Sequence, residues 1–550
     1  KLDAIIVFNN GKYDRYYDVN GNGVLDPIEK VYNAGATGVS TDNIQYLWNS
    51  SNWLNSISDA DIVKQRATYI SNDKQRYIFT WVDGGTKDGV VTSEEVKDFA
   101  WPTSAPSISD LSDVSKFYAY LNLYPSFGNR PAAITSLMST SSLFQDFLLK
   151  QTEREINWVR GLDYVTSNGS PKPLAIGGND IAGTEMRARR YNGSTWRLGD
   201  IAYSTPTAVG APAEGYHLLY KDASYQEFYS KYQKRRNVIY AGANDGMLHA
   251  FNGGFYDSYN KQFCREIASG YDPLDESTSN DTPCASTTSQ PELGAELWAY
   301  VPYNLLPHLY WLTETTYSHI YYVDQKPRIF DAKIFEPDTA VHINGWGTIM
   351  VVGMRFGGAN ITADLDKTVT TDDATSPTMK SAYLIFDITN PEDKPRLLGE
   401  IAMPNMGFST SYPTMVVLRD GNHDGAYGDY VSAAPEAGEN RWLLAFGSGP
   451  ANASGASDKS VLNVADSSQN GKVYLLDLVQ LGRYNKLESL TDSGTSTGVL
   501  KEGLYPYLTL SETNSFVSDP VTVDFDLDYN ADAVHFGTVS GSAGNWTGKL

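Results

Sequence analysis

The stretch Asn237-Val-Ile-Tyr-Ala-Gly-Ala-Asn-Asp-Gly-Met-Leu-His-Ala-Phe251 reads as a strand, a glycine-rich turn and a second strand that pairs back. Its pieces recur along the chain. A strand ending in glycine returns as Ile349-Met-Val-Val-Gly353, Trp442-Leu-Leu-Ala-Phe-Gly447 and Ala533-Val-His-Phe-Gly537. Before each lies a strand opened by proline, at Pro206, Pro327, Pro413 and Pro520, where no ladder N–H is lost. After three of them a third strand follows, in Met247–Phe251, Ala382–Asp387 and Val473–Asp477.

One such unit cannot bury both of its faces, and radial stacking of several units solves that problem. The expected fold class is therefore mainly β: a modified β-propeller with a smaller mixed, partly helical N-terminal region carrying EF-hand-like calcium loops. A row of β-sandwiches is the alternative, but it does not require a shared strand-glycine-turn-strand word. The repeat period exceeds the roughly 40–50 residues of simple propeller repeats, so the blade number is not readable. The expected boundaries are 1–157 for the N-terminal region and 158–550 for the propeller. The fourth unit stops at Asn545–Leu550, where its third strand should begin, so the last blade is expected to be incomplete.

Helical spacing is convincing only early in the chain, over Ser142–Val159, with Leu143, Phe147, Leu148, Ile156 and Val159 on one face. Lys1-Leu2-Asp3 runs straight into the strand-like Ala4–Phe8, and the start reads as cut from something longer. No stretch approaches the roughly 20 apolar residues of a membrane span. The net charge of −22 disfavours nucleic acid and favours cations. A surface-β composition, with 37 Tyr and 47 Gly, suits an exported protein. Cys264 and Cys284 sit in a polar segment that reads as a surface loop. A disulfide closing that loop would contribute roughly 3 kcal/mol and place the chain in an oxidising compartment; two unrelated thiols are the alternative.

The sharpest chemical motif is Asp18–Glu29. Asp18, Asn20, Asn22, the Val24 carbonyl, Asp26 and Glu29 occupy the oxygen-ligand positions of a twelve-residue EF-hand loop, and Gly23 provides its turn. Asp83–Glu95 has only the closing half of that pattern, and Asp420–Asp429 has its alternation in a segment that would also serve as a turn. A further acidic run holds Asp524, Asp526, Asp528, Asn530 and Asp532. Strand alternation places Val521, Val523, Phe525 and Leu527 on one face and Asp524, Asp526 and Asp528 on the other. A calcium ion held by these carboxylates and the Asn530 carbonyl would remove their repulsion. Tyr529 stands where an EF-hand has glycine, and His535 where it has glutamate.

The sequence has no His-Glu-x-x-His, P-loop or G-x-G-x-x-G fingerprint of an enzyme. His249 and His535 fall in expected strands, where a structural histidine is the commoner reading. The chain is read as a non-enzyme.

The 237–251 word resembles the signature of the PilY family of type IV pilus tip proteins. Leu198–Pro206, Leu297–Pro302, Tyr317–Asp324 and Asp526–Asp532 agree with it in order, together covering roughly Trp158 to the C-terminus. This resemblance implies a modified propeller at a pilus tip, outside the cell after passage through the periplasm. It also implies roles in pilus assembly, adhesion and surface-dependent motility. The expected partners are minor pilins of the tip complex and a host or abiotic surface. Family members resemble one another in a calcium loop that regulates pilus extension and retraction, which by motif maps to Asp524, Asp526, Asp528, Asn530 and Asp532. Two other functions fit a propeller: a quinoprotein-like enzyme and a carbohydrate-binding module.

Overall fold

Each of the four prolines stands one residue ahead of a strand. Thr207–Val209, Asn237–Gly242, Leu248–Asp257 and Glu296–Val301 follow one another as the first antiparallel sheet. Arg328–Lys333, Trp346–Gly353, Tyr383–Asp387 and Arg396–Ile401 form the second, and Thr414–Arg419, Asn440–Gly447, Lys472–Asp477 and Tyr507–Thr509 the third. The computed structural model describes residues 3–9, 12–18, 27, 39–40, 47–83, 91–123, 131–191, 194–258, 260–273, 283–286, 289–365, 367, 376–419, 440–452, 467–485, 507–542 and 545–550. Over these the chain is mainly β.

The glycine that ends each second strand, or in the fourth unit stands two residues past it, has a specific cause. Its N–H donates to a side chain two residues before the unit's proline: Gly242 to Ser204 Oγ at 2.6 Å, Gly353 to Gln325 Oε1 at 3.0 Å, Gly447 to Ser411 Oγ at 2.9 Å and Gly537 to Ser518 Oγ at 2.9 Å. The lead-in to the next unit lies across its α-carbon. A Cβ would overlap the Val323 carbonyl at Gly242, the Ser409 carbonyl at Gly353 and the Val517 side chain at Gly447. The lead-ins also bond to one another. Tyr203 N–H donates to Asp324, Gln325 Nε2 to the Ser409 and Ser411 carbonyls, and Ser411 Oγ to the Ser518 carbonyl, at 3.0–3.1 Å.

Alternation then buries both faces of the second sheet. Met350 and Val352 join a core with Tyr240, Trp298 and Tyr300 of the first sheet, while Ile349 and Val351 join Trp442, Leu444 and Phe446 of the third. Phe386 lies 5.5 Å from Trp298, and Tyr383 lies 4.6 Å from Phe446, between ring centroids. Such pairs contribute about 0.5–1.5 kcal/mol each beyond area burial. The other face of the third sheet packs Leu443 and Ala445 against Ala531 and Val534 of the fourth unit.

That fourth unit is built differently from the others. Val521–Val523 pairs with Ala533–His535, but Thr538–Ser542 pairs with Ser515–Val517 and with Asn545–Lys549. Residues 545–549 are thus a strand of a separate small sheet. The alternation expected through Leu527 and Asp528 also fails, because the strand ends at Val523 and Leu527 and Tyr529 take φ of +57° and +68°.

The chain divides into two compact units, 1–49 and 50–550. In the first, Asp3–Asn9 and Lys12–Asp18 form a hairpin, extended by Val39–Ser40. In the second, Ile78–Trp81 pairs parallel with Glu296–Val301 and antiparallel with Val96–Asp98, adding two strands to the first sheet. The position between 157 and 158 falls inside the helix Ser141–Arg160, which Gly161 ends at φ +120°. Phe147, Leu148, Ile156 and Val159 are buried, but Leu143, in the first turn, is exposed and not part of that face. A disulfide joins Cys264 and Cys284. Among the described residues no helix is long and apolar enough to cross a membrane.

Candidate functional site

The loop 524–532 connects the paired strands Val521–Val523 and Ala533–His535. Two backbone bonds fix its base, from Asp532 N–H to the Val523 carbonyl at 2.9 Å and from Ala531 N–H to the Val417 carbonyl of the third sheet at 2.8 Å. Within it, Asp524, Asp526 and Asp532 each bring one carboxylate oxygen to a common point, all three within 4.8 Å of one another. Asp528 is not in this group; its Oδ1 accepts the Asn530 N–H at 2.8 Å.

Asp524 is held by three donors: Tyr220 Oη at 3.0 Å, Tyr529 N–H at 3.1 Å and Asp528 N–H at 3.3 Å. Asp532 accepts the Phe525 N–H at 2.7 Å. Loss of solvent, followed by the neighbouring Asp528, Asp532 and Asp524 charges, raises the Asp526 pKa above its ordinary value.

Tyr529 shows why a glycine is dispensable here. Its ring stacks on Tyr220 with centroids 3.8 Å apart, and its hydroxyl donates to Asp222 at 3.1 Å. These contacts hold a non-glycine residue in the left-handed conformation that a glycine otherwise supplies. The donor set is carboxylate oxygen alone, which suits a hard cation such as calcium. Each carboxylate offers about four lone-pair sites, so the internal hydrogen bonds leave capacity for an ion.

The other expected loops are only partly placed. Asp18 is the last residue of its strand, while Asn20, Asn22, Val24, Asp26 and Glu29 lie outside the described residues. Residues 84–90 and 420–429 also lie outside them. Glu95 accepts from the Thr92 N–H and hydroxyl at 3.0 and 2.9 Å. His535 is exposed.

A second ionic group, unseen in the sequence, surrounds His249. Its Nδ1 lies 2.8 Å from Glu296 Oε1 and its Nε2 3.1 Å from Asp245 Oδ1, all three side chains being buried. Arg76 donates to both Glu296 oxygens, at 2.7 and 2.8 Å. Carboxylates only accept, so an imidazole bonded to two of them must carry both protons. Although burial opposes its charge, Asp245 and Glu296 raise His249 to about 9. Glu296 is held well below the ordinary carboxylate range, where Arg76 and His249 outweigh burial. The only sequence signal was the Asn-Asp-Gly-Met-Leu-His spacing of Asp245 and His249.

No family model matches the chain. Among curated proteins it is 26% identical over 243 residues to a type IV pilus biogenesis factor PilY1 homolog of Xylella fastidiosa, covering 42% of this chain and 12% of that protein. A second homolog from that organism is 30% identical over 175 residues, covering 30% and 10%. The type IV pilus biogenesis factor PilY1 of Pseudomonas aeruginosa is 25% identical over 269 residues, covering 44% and 17%. The chain thus matches a small fraction of each relative's length. Against the crystal structure of the Pseudomonas aeruginosa PilY1 C-terminal domain the TM-score is 0.30 at 19% identity, over 62% of this chain and 44% of that one. The sequence relatives, rather than this overlap, carry the likeness: over less than half of its length the chain is similar to PilY family proteins.

Proposed function

We propose that this chain is a calcium-binding type IV pilus biogenesis factor and adhesin, acting outside the cell at the pilus tip, with its stacked four-stranded sheets as blades of a modified β-propeller. The relatives' role in pilus biogenesis supports the pilus assignment. The convergence of Asp524, Asp526 and Asp532 carries the calcium reading. These three would hold the ion, whose charge offsets their repulsion, while Tyr220 and Tyr529 fix the loop to the helical segment before the first sheet's second strand. The Asp18–Glu29 loop is a second calcium site in the same proposal. Minor pilins of the tip complex and a host or abiotic surface are the partners, and the chain has no catalytic role.

Calorimetric titration of calcium into chelator-stripped protein tests the metal sites. Heat lost in Asp526→Ala or in Asp18→Ala assigns each loop, and no heat from the intact chain sinks the calcium reading. Deleting the gene in its host tests the pilus role: unchanged surface pili and surface motility would refute it.

A further inference from the structure

Three segments singled out in the sequence meet at a place the calcium reading leaves unused. From Leu198–Pro206, Asp200 accepts at its carbonyl from Asn244 N–H at 3.0 Å, and at Oδ2 from Asn244 Nδ2 at 2.8 Å. From Tyr317–Asp324, His319 Nε2 bonds the same Oδ2 at 2.9 Å, and Tyr322 N–H donates to Asn244 Oδ1 at 3.0 Å. Asn244 itself belongs to the 237–251 word. Beside this junction opens a cleft of about 370 Å³, lined by Trp158, Arg187, Arg189, Trp196, Asn244 and Tyr317 among others.

The two arginines are half-buried and differ from the nearby, fully buried Arg76 and Arg160. Arg160 directs its guanidinium onto backbone carbonyls, and Arg76 onto Glu296. Arg187 instead stacks 4.0 Å from the Tyr317 centroid and 5.5 Å from that of Trp158, and its guanidinium makes no hydrogen bond among the described residues. Arg189 lies 3.7 Å over Trp158; its Nη1 donates to the Trp196 carbonyl at 3.0 Å, but its Nε is buried without a partner. Neither arginine has a carboxylate within ion-pair distance among the described residues. The acids lining the cleft are engaged elsewhere, Asp245 by His249 and Gly199 N–H, and Asp200 by His319 and Asn244. Burial is the main force lowering the Arg189 pKa and the Arg187 charge adds to it, while Asp245 opposes both. An incoming anion would relieve the first two.

We infer that this cleft binds a carboxylated sugar residue. Its carboxylate would sit on Arg187 and Arg189, whose planar forks are preset by stacking. The indole of Trp196, 56% exposed at the rim, offers an apolar face to the pyranose ring. Asn244, which lines the cleft, supplies a polar contact for a hydroxyl, and the volume suits one or two rings. The open indole beside two unpaired guanidinium groups favours a sugar over an acidic peptide.

Calorimetry of the intact chain with trigalacturonate, its methyl ester and triglutamate tests this. The acid sugar should bind, with about tenfold weaker affinity in Arg187→Met, the scale of one lost charged hydrogen bond. Trp196→Ala, at an exposed position that leaves folding intact, should weaken it several-fold, and the ester and triglutamate should bind at least about tenfold less tightly than the acid sugar. If Arg187→Met does not fold, Trp196→Ala and the ester comparison decide. No binding of trigalacturonate at millimolar concentration, or triglutamate bound equally well, overturns the proposal. Asp526→Ala should bind the sugar like the intact chain, so failure here leaves the calcium reading standing.

Discussion

The His249 group and the 524–532 loop both gather carboxylates, with opposite consequences. Around His249 the signs alternate, Asp245, His249, Glu296 and Arg76 running through the first sheet with full burial. In the loop, Asp524, Asp526 and Asp532 meet with one sign and open to solvent. The first group is complete within the chain and acts on stability. The second is a cluster of one sign, for which the calcium proposal supplies the counter-charge.

Breaking the interior group should have the largest effect. Glu296→Ala leaves two buried cations facing each other and should destabilise by about 3–5 kcal/mol in urea denaturation; a loss below about 1 kcal/mol would remove the contrast drawn here. The same group predicts a pH dependence. Because the folded His249 pKa of about 9 lies above the unfolded value of 6.5, its stabilisation is complete below 6.5 and disappears as pH rises through 9. The unfolding free energy should fall across that window by up to about 1.4 kcal/mol per pH unit, and His249→Gln should flatten the slope.

For the loop, calcium at 100 times its dissociation constant should stabilise the fold by about 2.7 kcal/mol, measured as a shift in melting temperature against chelator. Asp526→Ala should abolish that shift, and an equal shift in both proteins would break the loop's side of the comparison. Smallest is Tyr529→Phe, which keeps the stacking on Tyr220 but loses the bond to Asp222. A loss of about 1 kcal/mol is expected, with calcium affinity nearly unchanged.

Much of the β architecture was legible because it is written locally. Proline, alternating apolar residues and a terminal glycine marked the strands of three sheets. What escaped was set by distance. Ile78–Trp81 carries no sign that it will lie parallel to Glu296–Val301, and Arg76 and Glu296 come together only through that pairing. In the loop, the acid residues were visible, but their grouping was not. Regular alternation put Asp528 with Asp524 and Asp526. With left-handed turns at Leu527 and Tyr529, Asp524 and Asp526 group with Asp532, which the sequence already offered, and not with Asp528; Tyr220, more than three hundred positions earlier, helps to hold that loop. Residues 84–90, 420–429 and most of 19–38 lie outside the described residues, so the other loops rest on sequence alone.

The joint between units has a consequence for how such a chain can change. In all four units the same small lock, a side-chain oxygen two residues before proline and the N–H of a glycine at or just past the strand's end, sits at one end of the strand pair. Insertions and deletions in the segments that join the strands elsewhere would leave every lock in place, which is compatible with the unequal spacing of the four prolines. A lineage built this way can keep its scaffold while rewriting the loops that meet the outside world, and grafted segments should be best tolerated at those same connections.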